Sequence, residues 1–72
     1  MKNFKYELIK HVATISQDDN GNSLQINIIA YNNSSPKLDI RRWKNDIMLK
    51  GLVLNDEEAE GLLKALEEWK GE

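Results

Sequence analysis

The chain has 72 residues, of which 31% are charged, and its formal net charge is −2 at pH 7. This length fits a single domain over residues 1–72 and excludes a second one, and the absence of cysteine excludes disulfides and thiolate metal sites. A chain this short buries only about 60% of the surface that its unfolded form exposes, so its own core is marginal. Since neither a disulfide nor a metal or other cofactor is expected to support the fold, the sequence predicts a homodimer.

Two strands joined by a turn are predicted first. From Phe4 to Ser16, aromatic and β-branched residues are frequent, and the apolar positions change parity near Ile9, which indicates a bend or bulge. Residues 18–22 form a turn, because asparagine and glycine tolerate positive φ. Residues 24–32 alternate between apolar and polar types as a strand with one buried face does. The side chains expected to face the core are those of Leu24, Ile26, Ile28 and Ala30.

Two further strands follow. In the third strand, Leu38 and Ile40 are expected to point inward. The opposite face of that strand carries Lys37, Asp39, Arg41 and Trp43. The fourth strand is predicted from Met48 to Leu54 and is interrupted by Gly51.

The C-terminal helix is the clearest element. Asn55 caps it, Glu58 stands three residues later as in a capping box, and Gly71 ends it. Gly61 inside the helix costs about 1 kcal/mol relative to alanine, which we interpret as a sign that another backbone passes close. The helix carries an apolar stripe at helical spacing, and the stripe residues assigned to the dimer interface are Leu62, Leu63, Leu66 and Trp69. The predicted fold is α+β: a four-stranded curved antiparallel sheet followed by a C-terminal helix (β-β-β-β-α), in a homodimer.

The charges are divided unevenly along the chain. Residues 1–54 carry eight basic and five acidic groups, for a net +3, whereas residues 55–72 carry two basic and seven acidic groups, for a net −5. Because the local field of a surface steers a polyanion, the sheet can meet phosphates while the helix faces away.

The sequence also predicts where the protein acts. No run approaches the roughly 18 apolar residues of a membrane span, so we expect no membrane partner. The first residues lack the apolar core of a secretion signal, and there is no cysteine. We therefore expect a cytoplasmic protein, associated with the nucleoid, or with the host cytoplasm if the protein is viral.

Candidate residues for chemistry point to binding and not to catalysis. The sequence has no cysteine nucleophile, no G-x-S-x-G elbow, no phosphate-binding glycine loop and a single histidine, so we predict that it is not an enzyme. The face opposite the expected core combines aromatic rings with cations, and single-stranded nucleic acid uses both, because bases stack on rings and cations track phosphates. The candidate nucleic-acid-binding residues are Asn27, Tyr31, Lys37, Arg41, Trp43 and Lys50.

Several of these residues have a structural alternative. Tyr31 can be a cross-strand packing partner, and Trp43 can cover an open edge of the core. Arg41 can pair with Asp39 or with the acidic helix of a partner subunit. The single histidine, His11, is expected to be packed or solvent-facing. The pattern of residues alone leaves these alternatives open.

Three segments carry a resemblance to a known family. Residues 37–43 read KLDIRRW, residues 50–54 read KGLVL, and the helix begins with NDEE at residues 55–58. In this order they resemble the transcriptional coactivator family of positive cofactor 4, and most of all its short bacterial YdbC-type members. Those members show a K-x-D-I-R-x-W strand, a K-G-[aliphatic]-x-L strand and then a helix. Residues 26–32 (INIIAYN) and 4–16 are similar to their first two strands, so the likeness spans nearly the whole chain.

The resemblance implies a two-fold homodimer whose curved sheets hold single-stranded DNA with little sequence preference. Tyr31 takes the place of the stacking aromatic on the second strand, and Trp43 that of the aromatic after the arginine. Arg41 matches the arginine of D-I-R, and Lys50 matches the lysine before the glycine. Asp39 matches an aspartate that orients neighbouring basic side chains.

The expected function is therefore single-stranded DNA binding in transcription regulation or in DNA replication, recombination or repair. Leu24 stands where relatives often have a basic residue, and the chain is mildly acidic, so we expect ordinary affinity. Two alternatives stay open: an adaptor that docks a polymerase or another transcription or replication protein, and a single-stranded RNA binder.

Overall fold

A computed structural model of the chain describes residues 5–71. They form one antiparallel sheet with strand order β1-β2-β3-β4, followed by a helix. The elements are β1 (Tyr6–Gln17), β2 (Asn22–Tyr31), β3 (Lys37–Lys44), β4 (Ile47–Leu54) and α1 (Asp56–Lys70). The predicted order β-β-β-β-α is confirmed, with strand ends shifted by one or two residues. Phe4, the predicted start of the first strand, lies outside the described residues. No helix in the described range has the length and hydropathy that a membrane span requires.

The first strand is coiled by repeated irregularities in its pairing. The register of β1 with β2 shifts three times, and the residues that the shifts leave unmatched are Ile9, Val12 and Ile15. At each shift two β1 residues lie opposite one β2 residue, which is how a bulge bends a strand and increases its twist. The predicted change of phase near Ile9 is thus confirmed, and two further shifts follow it at intervals of three residues.

The sheet has two faces of different composition. The polar face, as we call it, carries Ser23, Gln25, Asn27, Ile29 and Tyr31 of β2 and Lys37, Asp39, Arg41 and Trp43 of β3. The apolar face, as we call the other side, carries Leu24, Ile26, Ile28 and Ala30 of β2 and Leu38 and Ile40 of β3. From β1, the register adds Tyr6, Leu8, His11, Thr14 and Gln17 to the polar face.

Burial within the chain is the reverse of the prediction. The side chains buried among the described residues are Asn27, Ile29, Asp39 and Trp43, and all four lie on the polar face. The residues of the apolar face, expected to form the core, are only half-buried. The helix cannot cover them, because it contacts only β3 and β4 and buries none of its own residues. The polar face is shielded by its own neighbours, as on the inner side of a curved sheet.

The helix has the predicted ends and an uncovered stripe. The Asn55 side-chain oxygen accepts from the Glu58 backbone N–H at 2.8 Å, and the Glu58 carboxylate accepts from the Asn55 backbone N–H at 2.9 Å. The predicted capping box is therefore confirmed. At the other end, the Gly71 N–H donates to the Glu67 carbonyl oxygen at 3.0 Å. The stripe residues remain exposed, from 36% at Leu62 to 66% at Trp69.

Replacing Gly61 with alanine is expected to raise the free energy of unfolding by about 1 kcal/mol, the difference in helix propensity. Gly61 lies on the side of the helix away from the stripe, and a Cβ there would meet no atom within 4 Å. The close backbone approach that we inferred for this position is thus not found within the described chain. Urea unfolding at fixed protein concentration measures the change. Destabilisation by Gly61→Ala would instead place a partner backbone against this side of the helix.

Candidate nucleic-acid interface

A fully buried carboxylate organises the centre of the polar face. Asp39 accepts a hydrogen bond from the Tyr31 hydroxyl at 2.5 Å. It also accepts two from Arg41, Nε to Oδ1 at 2.9 Å and Nη2 to Oδ2 at 2.7 Å. This is the bidentate geometry in which guanidinium and carboxylate groups match best. Asp39 therefore fixes the tyrosine ring and the guanidinium in one arrangement.

Arg41 is occupied by its own chain. Besides Asp39, it donates from Nη2 to the Tyr31 hydroxyl oxygen at 3.1 Å and from Nη1 to the Leu49 carbonyl oxygen at 2.9 Å. Gly51 lies opposite it on β4, and a Cβ at that position would overlap the Arg41 Cβ. Only glycine lets the two strands hold Arg41 in this position. The alternative that Arg41 pairs with Asp39 is confirmed, and four of its five N–H groups are engaged within the chain.

The same cluster sets the protonation of its members. Burial raises the pKa of Tyr31 to about 12, and the hydrogen bond to Asp39 and the charge of that carboxylate add to the effect. The hydrogen bond to Asp39 also raises the pKa of Arg41. At neutral pH the phenol therefore stays protonated and donates to Asp39, while the guanidinium stays charged.

Aromatic rings form a row across the polar face. The ring of Tyr6 lies 6.3 Å from that of Tyr31, centroid to centroid, at an interplanar angle of 47°. It lies 6.4 Å from the Trp43 ring, in an edge-to-face contact at 68°. Tyr6 is 39% exposed, Tyr31 is half-buried, and Trp43 is only 5% exposed. The first two rings are thus partly accessible to solvent, whereas the Trp43 ring is enclosed by its neighbours.

Tyr6 is a member of this row that sequence reasoning missed. The sequence pattern assigns it to the alternating apolar positions of β1, and its partner on β2 is Tyr31. The sequence offers one signal for its role: Tyr6 is an aromatic residue close to the position near Ile9 where the apolar positions of β1 change parity. The partner strand is needed to show which face it occupies.

A chain of hydrogen bonds lies beside the rings. Asn27 donates from Nδ2 to the Gln25 Oε1 at 3.1 Å, and Gln25 donates from Nε2 to the Ser23 hydroxyl at 2.9 Å. The Asn27 Oδ1 lies 2.6 Å from the His11 Nδ1, and the His11 Nε2 lies 3.1 Å from the Thr14 hydroxyl. Asn27, a predicted nucleic-acid contact, is fully buried. It can act on a ligand only through the exposed groups that it holds in place.

The predicted cations do not all share this face. Lys37 lies on the polar face opposite Ile29 and is half-buried. Lys50 is exposed, and it directly precedes Gly51, which faces Arg41. Because successive strand residues point to opposite sides, Lys50 points away from the polar face. The structure thus brings Asn27, Tyr31, Lys37, Arg41 and Trp43 together and separates Lys50 from them, contrary to the prediction of one shared face.

Comparison with known proteins finds an uncharacterized relative. No protein-family model matches the sequence. The chain is similar to an uncharacterized protein of Treponema pallidum (strain Nichols), with 40% identity over 53 residues, or 71% of this chain. The match spans 62% of that relative's own length. The relative's description names no activity, and the resemblance to the positive cofactor 4 family stays a prediction.

Proposed function

We propose that this protein is a non-enzymatic homodimer that binds single-stranded DNA on its polar face with little sequence preference. The observation that carries the proposal is the row of rings on the polar face, with Tyr31 fixed by Asp39 and Arg41. Unpaired bases stack on such rings for roughly 1–3 kcal/mol each. Rings held in place by hydrogen bonds lose little freedom when a base stacks on them.

The surface area of the chain supports the dimer. The chain exposes 5858 Å², whereas a compact monomer of 8.3 kDa exposes about 4,600 Å². The excess of about 1,300 Å² per chain corresponds to a total of about 2,600 Å² in a pair, within the range of obligate homodimers. The radius of gyration, 13.7 Å, also exceeds the roughly 11 Å of a compact chain of this length.

The uncovered apolar groups indicate where a second copy would pack. The apolar face has no cover from the chain's own helix, and the helix stripe around Leu66 is itself exposed. An isolated helix of 15 residues is marginal in water unless an apolar side is buried. A second copy supplies cover for both surfaces at once. The polar face then remains open, because the dimer uses the other side of the sheet.

The charges on the polar face predict moderate, salt-sensitive binding. Lys37 is a cation on that face, and the charge of Arg41 is balanced by Asp39 at 2.7 Å. Because few phosphates are neutralised, the total slope of log affinity against log salt stays small, at about 0.7 for each phosphate contacted. This agrees with the ordinary affinity expected from the sequence.

In the cell, such a protein would act on unpaired DNA in transcription regulation or in replication, recombination or repair. Polymerases or other transcription and replication proteins would be its protein partners, in the cytoplasm. RNA binding and a pure adaptor role are alternatives that a titration with DNA and RNA strands distinguishes from this proposal.

The test is a fluorescence-anisotropy titration with a labelled thymine oligonucleotide of about 12 nucleotides, compared with duplex DNA and RNA at two salt concentrations. We expect saturable binding of the single DNA strand, and Lys37→Gln is expected to reduce the salt slope by about 0.7. The matched control is Lys10→Gln, since Lys10 lies opposite Ile28 on the apolar face. No anisotropy change at low salt, or equal effects of the two variants, would remove the proposal. Equal affinity for RNA would broaden the ligand class to single strands of both kinds.

A further inference from the structure

The indole N–H of Trp43 is a buried hydrogen-bond donor without an acceptor. Within residues 5–71 it is the buried side-chain polar atom that has no hydrogen-bond partner. Its ring is 5% exposed and lies on the polar face, opposite Ser23 of β2 and Met48 of β4. Buried donors are almost always paired, because leaving one unpaired is unfavourable. We therefore take the unpaired N–H as a sign that a bound ligand supplies the hydrogen-bond acceptor.

The ring that contacts Trp43 on this face is partly exposed and lies on an edge strand. Tyr6 meets the Trp43 ring edge to face at 6.4 Å and is 39% exposed. It stands near the start of β1, an edge strand of the sheet, two residues before the first register shift. Edge strands interrupted by bulges have fewer ladder hydrogen bonds to hold them. A ligand that displaces the Tyr6 ring would therefore come into contact with the Trp43 ring.

We infer that Trp43 reads a nucleobase through its N–H: a base displaces the Tyr6 ring, stacks in the row, and accepts a hydrogen bond from Trp43 Nε1 on a carbonyl oxygen. This inference rests on the proposed function and assigns Trp43 a role other than stacking alone. A neutral carbonyl suits the position better than a phosphate does. Among the described residues, Lys70 is the cation that lies over a tryptophan ring, and that ring belongs to Trp69 and not to Trp43. Arg42 and Lys44 flank Trp43 in β3 and, by alternation, point to the other face. Arg41 shares the face of Trp43, but its charge is balanced by Asp39 at 2.7 Å.

The chemistry of the bases gives this inference a specific consequence. Thymine, uracil, cytosine and guanine carry a carbonyl oxygen, and adenine carries none. Binding of a thymine strand would satisfy the Trp43 donor, whereas an adenine strand would leave it unpaired. We expect thymine oligonucleotides to bind about tenfold more tightly than adenine oligonucleotides of equal length. The otherwise sequence-tolerant surface would thus discriminate at one subsite.

The direct test follows the two indole N–H signals of the nitrogen-15-labelled protein by NMR. Because the chain has two tryptophans, Trp69→Phe alone assigns both signals, and Trp69 on the helix serves as the internal control. The probes are thymine and adenine oligonucleotides and an abasic strand of equal length, which offers phosphates without bases. We expect a saturating thymine strand to move the Trp43 signal strongly, while the adenine and abasic strands move it little. Trp43→Phe should weaken thymine binding about tenfold and adenine binding by less than about threefold.

The possible failures can be told apart. If the thymine strand saturates the protein while the Trp43 signal stays in place, the inference is wrong and the proposed function survives. If the abasic strand moves the signal equally, the acceptor is a phosphate and the assignment to a base is wrong. If no strand binds, the proposed function and the inference fail together. Because the NMR experiment uses the wild-type protein, it does not depend on the folding of Trp43→Phe.

Discussion

Replacing Asp39 with asparagine is expected to lower the free energy of unfolding by about 3–5 kcal/mol, the usual effect of removing one partner of a buried ion pair. Asp39 is fully buried and accepts three hydrogen bonds, one from Tyr31 and two from Arg41. Asparagine keeps the shape, but it leaves the guanidinium charge without its counter-charge and turns an amide group toward donors. For a small domain with stability near 5 kcal/mol, about 0–2 kcal/mol would remain, so that up to about half of the molecules would unfold. Urea or thermal unfolding measures the change.

The matched control for this variant is Asp46→Asn, which makes the same substitution in the exposed turn between β3 and β4. Its effect should stay within about 0.5 kcal/mol. A second measurement follows the hydrogen bond itself: ultraviolet titration of the tyrosines, at a temperature where circular dichroism shows that the variant is folded. Because Asp39 helps to raise the pKa of Tyr31 to about 12, that pKa should move toward its ordinary value in Asp39→Asn. Equal stability of the two variants would show that the cluster does not support the fold.

The raised pKa of Tyr31 also has a consequence for stability at high pH. Its folded-state pKa of about 12 lies above the ordinary tyrosine value of 10.0, so the protonated phenol is favoured in the folded state. The contribution of this pKa difference to the free energy of unfolding is fully present below pH 10 and is lost as the pH rises from 10 toward 12.

Local signals in the sequence were enough for the helix and for the order of the elements. The helix begins and ends as predicted, because Asn55, Glu58 and Gly71 act within one turn of their own positions. The β2–β3 pairing follows from simple alternation, which is regular along both strands. These features depend on neighbours that are close in sequence, so a single sequence carries them.

Burial and the faces of β1 could not be predicted in the same way. The usual rule places the apolar side of a sheet in the core, but residues 5–71 provide no second layer over Ile26 and Ile40, which remain half-buried. The faces of β1 depend on three register shifts, each of which reverses the parity of the residues after it. One missed shift moves Tyr6 or His11 to the wrong side. The side of Lys50 was predicted wrongly for a similar reason, since the pairing of β3 with β4 also shifts between Arg41 and Trp43.

The apolar face of the sheet needs cover that the described chain does not supply. A single layer whose polar face holds a hydrogen-bonded cluster around Asp39 cannot also bury its apolar face unaided. A partner that covers the apolar face therefore contributes to the stability of each chain as well as to assembly. Under the proposed dimer, folding and association become one concentration-dependent equilibrium.

Replacing Leu66 with aspartate tests this coupling, and the expected result depends sharply on whether a partner is present. In the isolated chain Leu66 is 47% exposed, so the substitution would change stability only slightly. If a second copy buries the stripe, a charge at its centre should cost at least about 3 kcal/mol. That loss corresponds to a dimer dissociation constant raised more than about 100-fold. Sedimentation velocity across a range of protein concentrations measures the dissociation, and unfolding at the same concentrations measures the loss of stability.

The matched control places the same residue on the opposite side of the helix. Lys64→Asp is expected to leave the sedimentation profile unchanged, because Lys64 lies away from the apolar stripe. A dimer that persists in Leu66→Asp would exclude this stripe as the interface. A wild-type chain that sediments as a monomer at all concentrations would contradict the dimer itself. The expected result is that Leu66→Asp sediments as a monomer and that its stability no longer depends on protein concentration. Both results together would show that a second copy of this chain covers the exposed apolar surfaces.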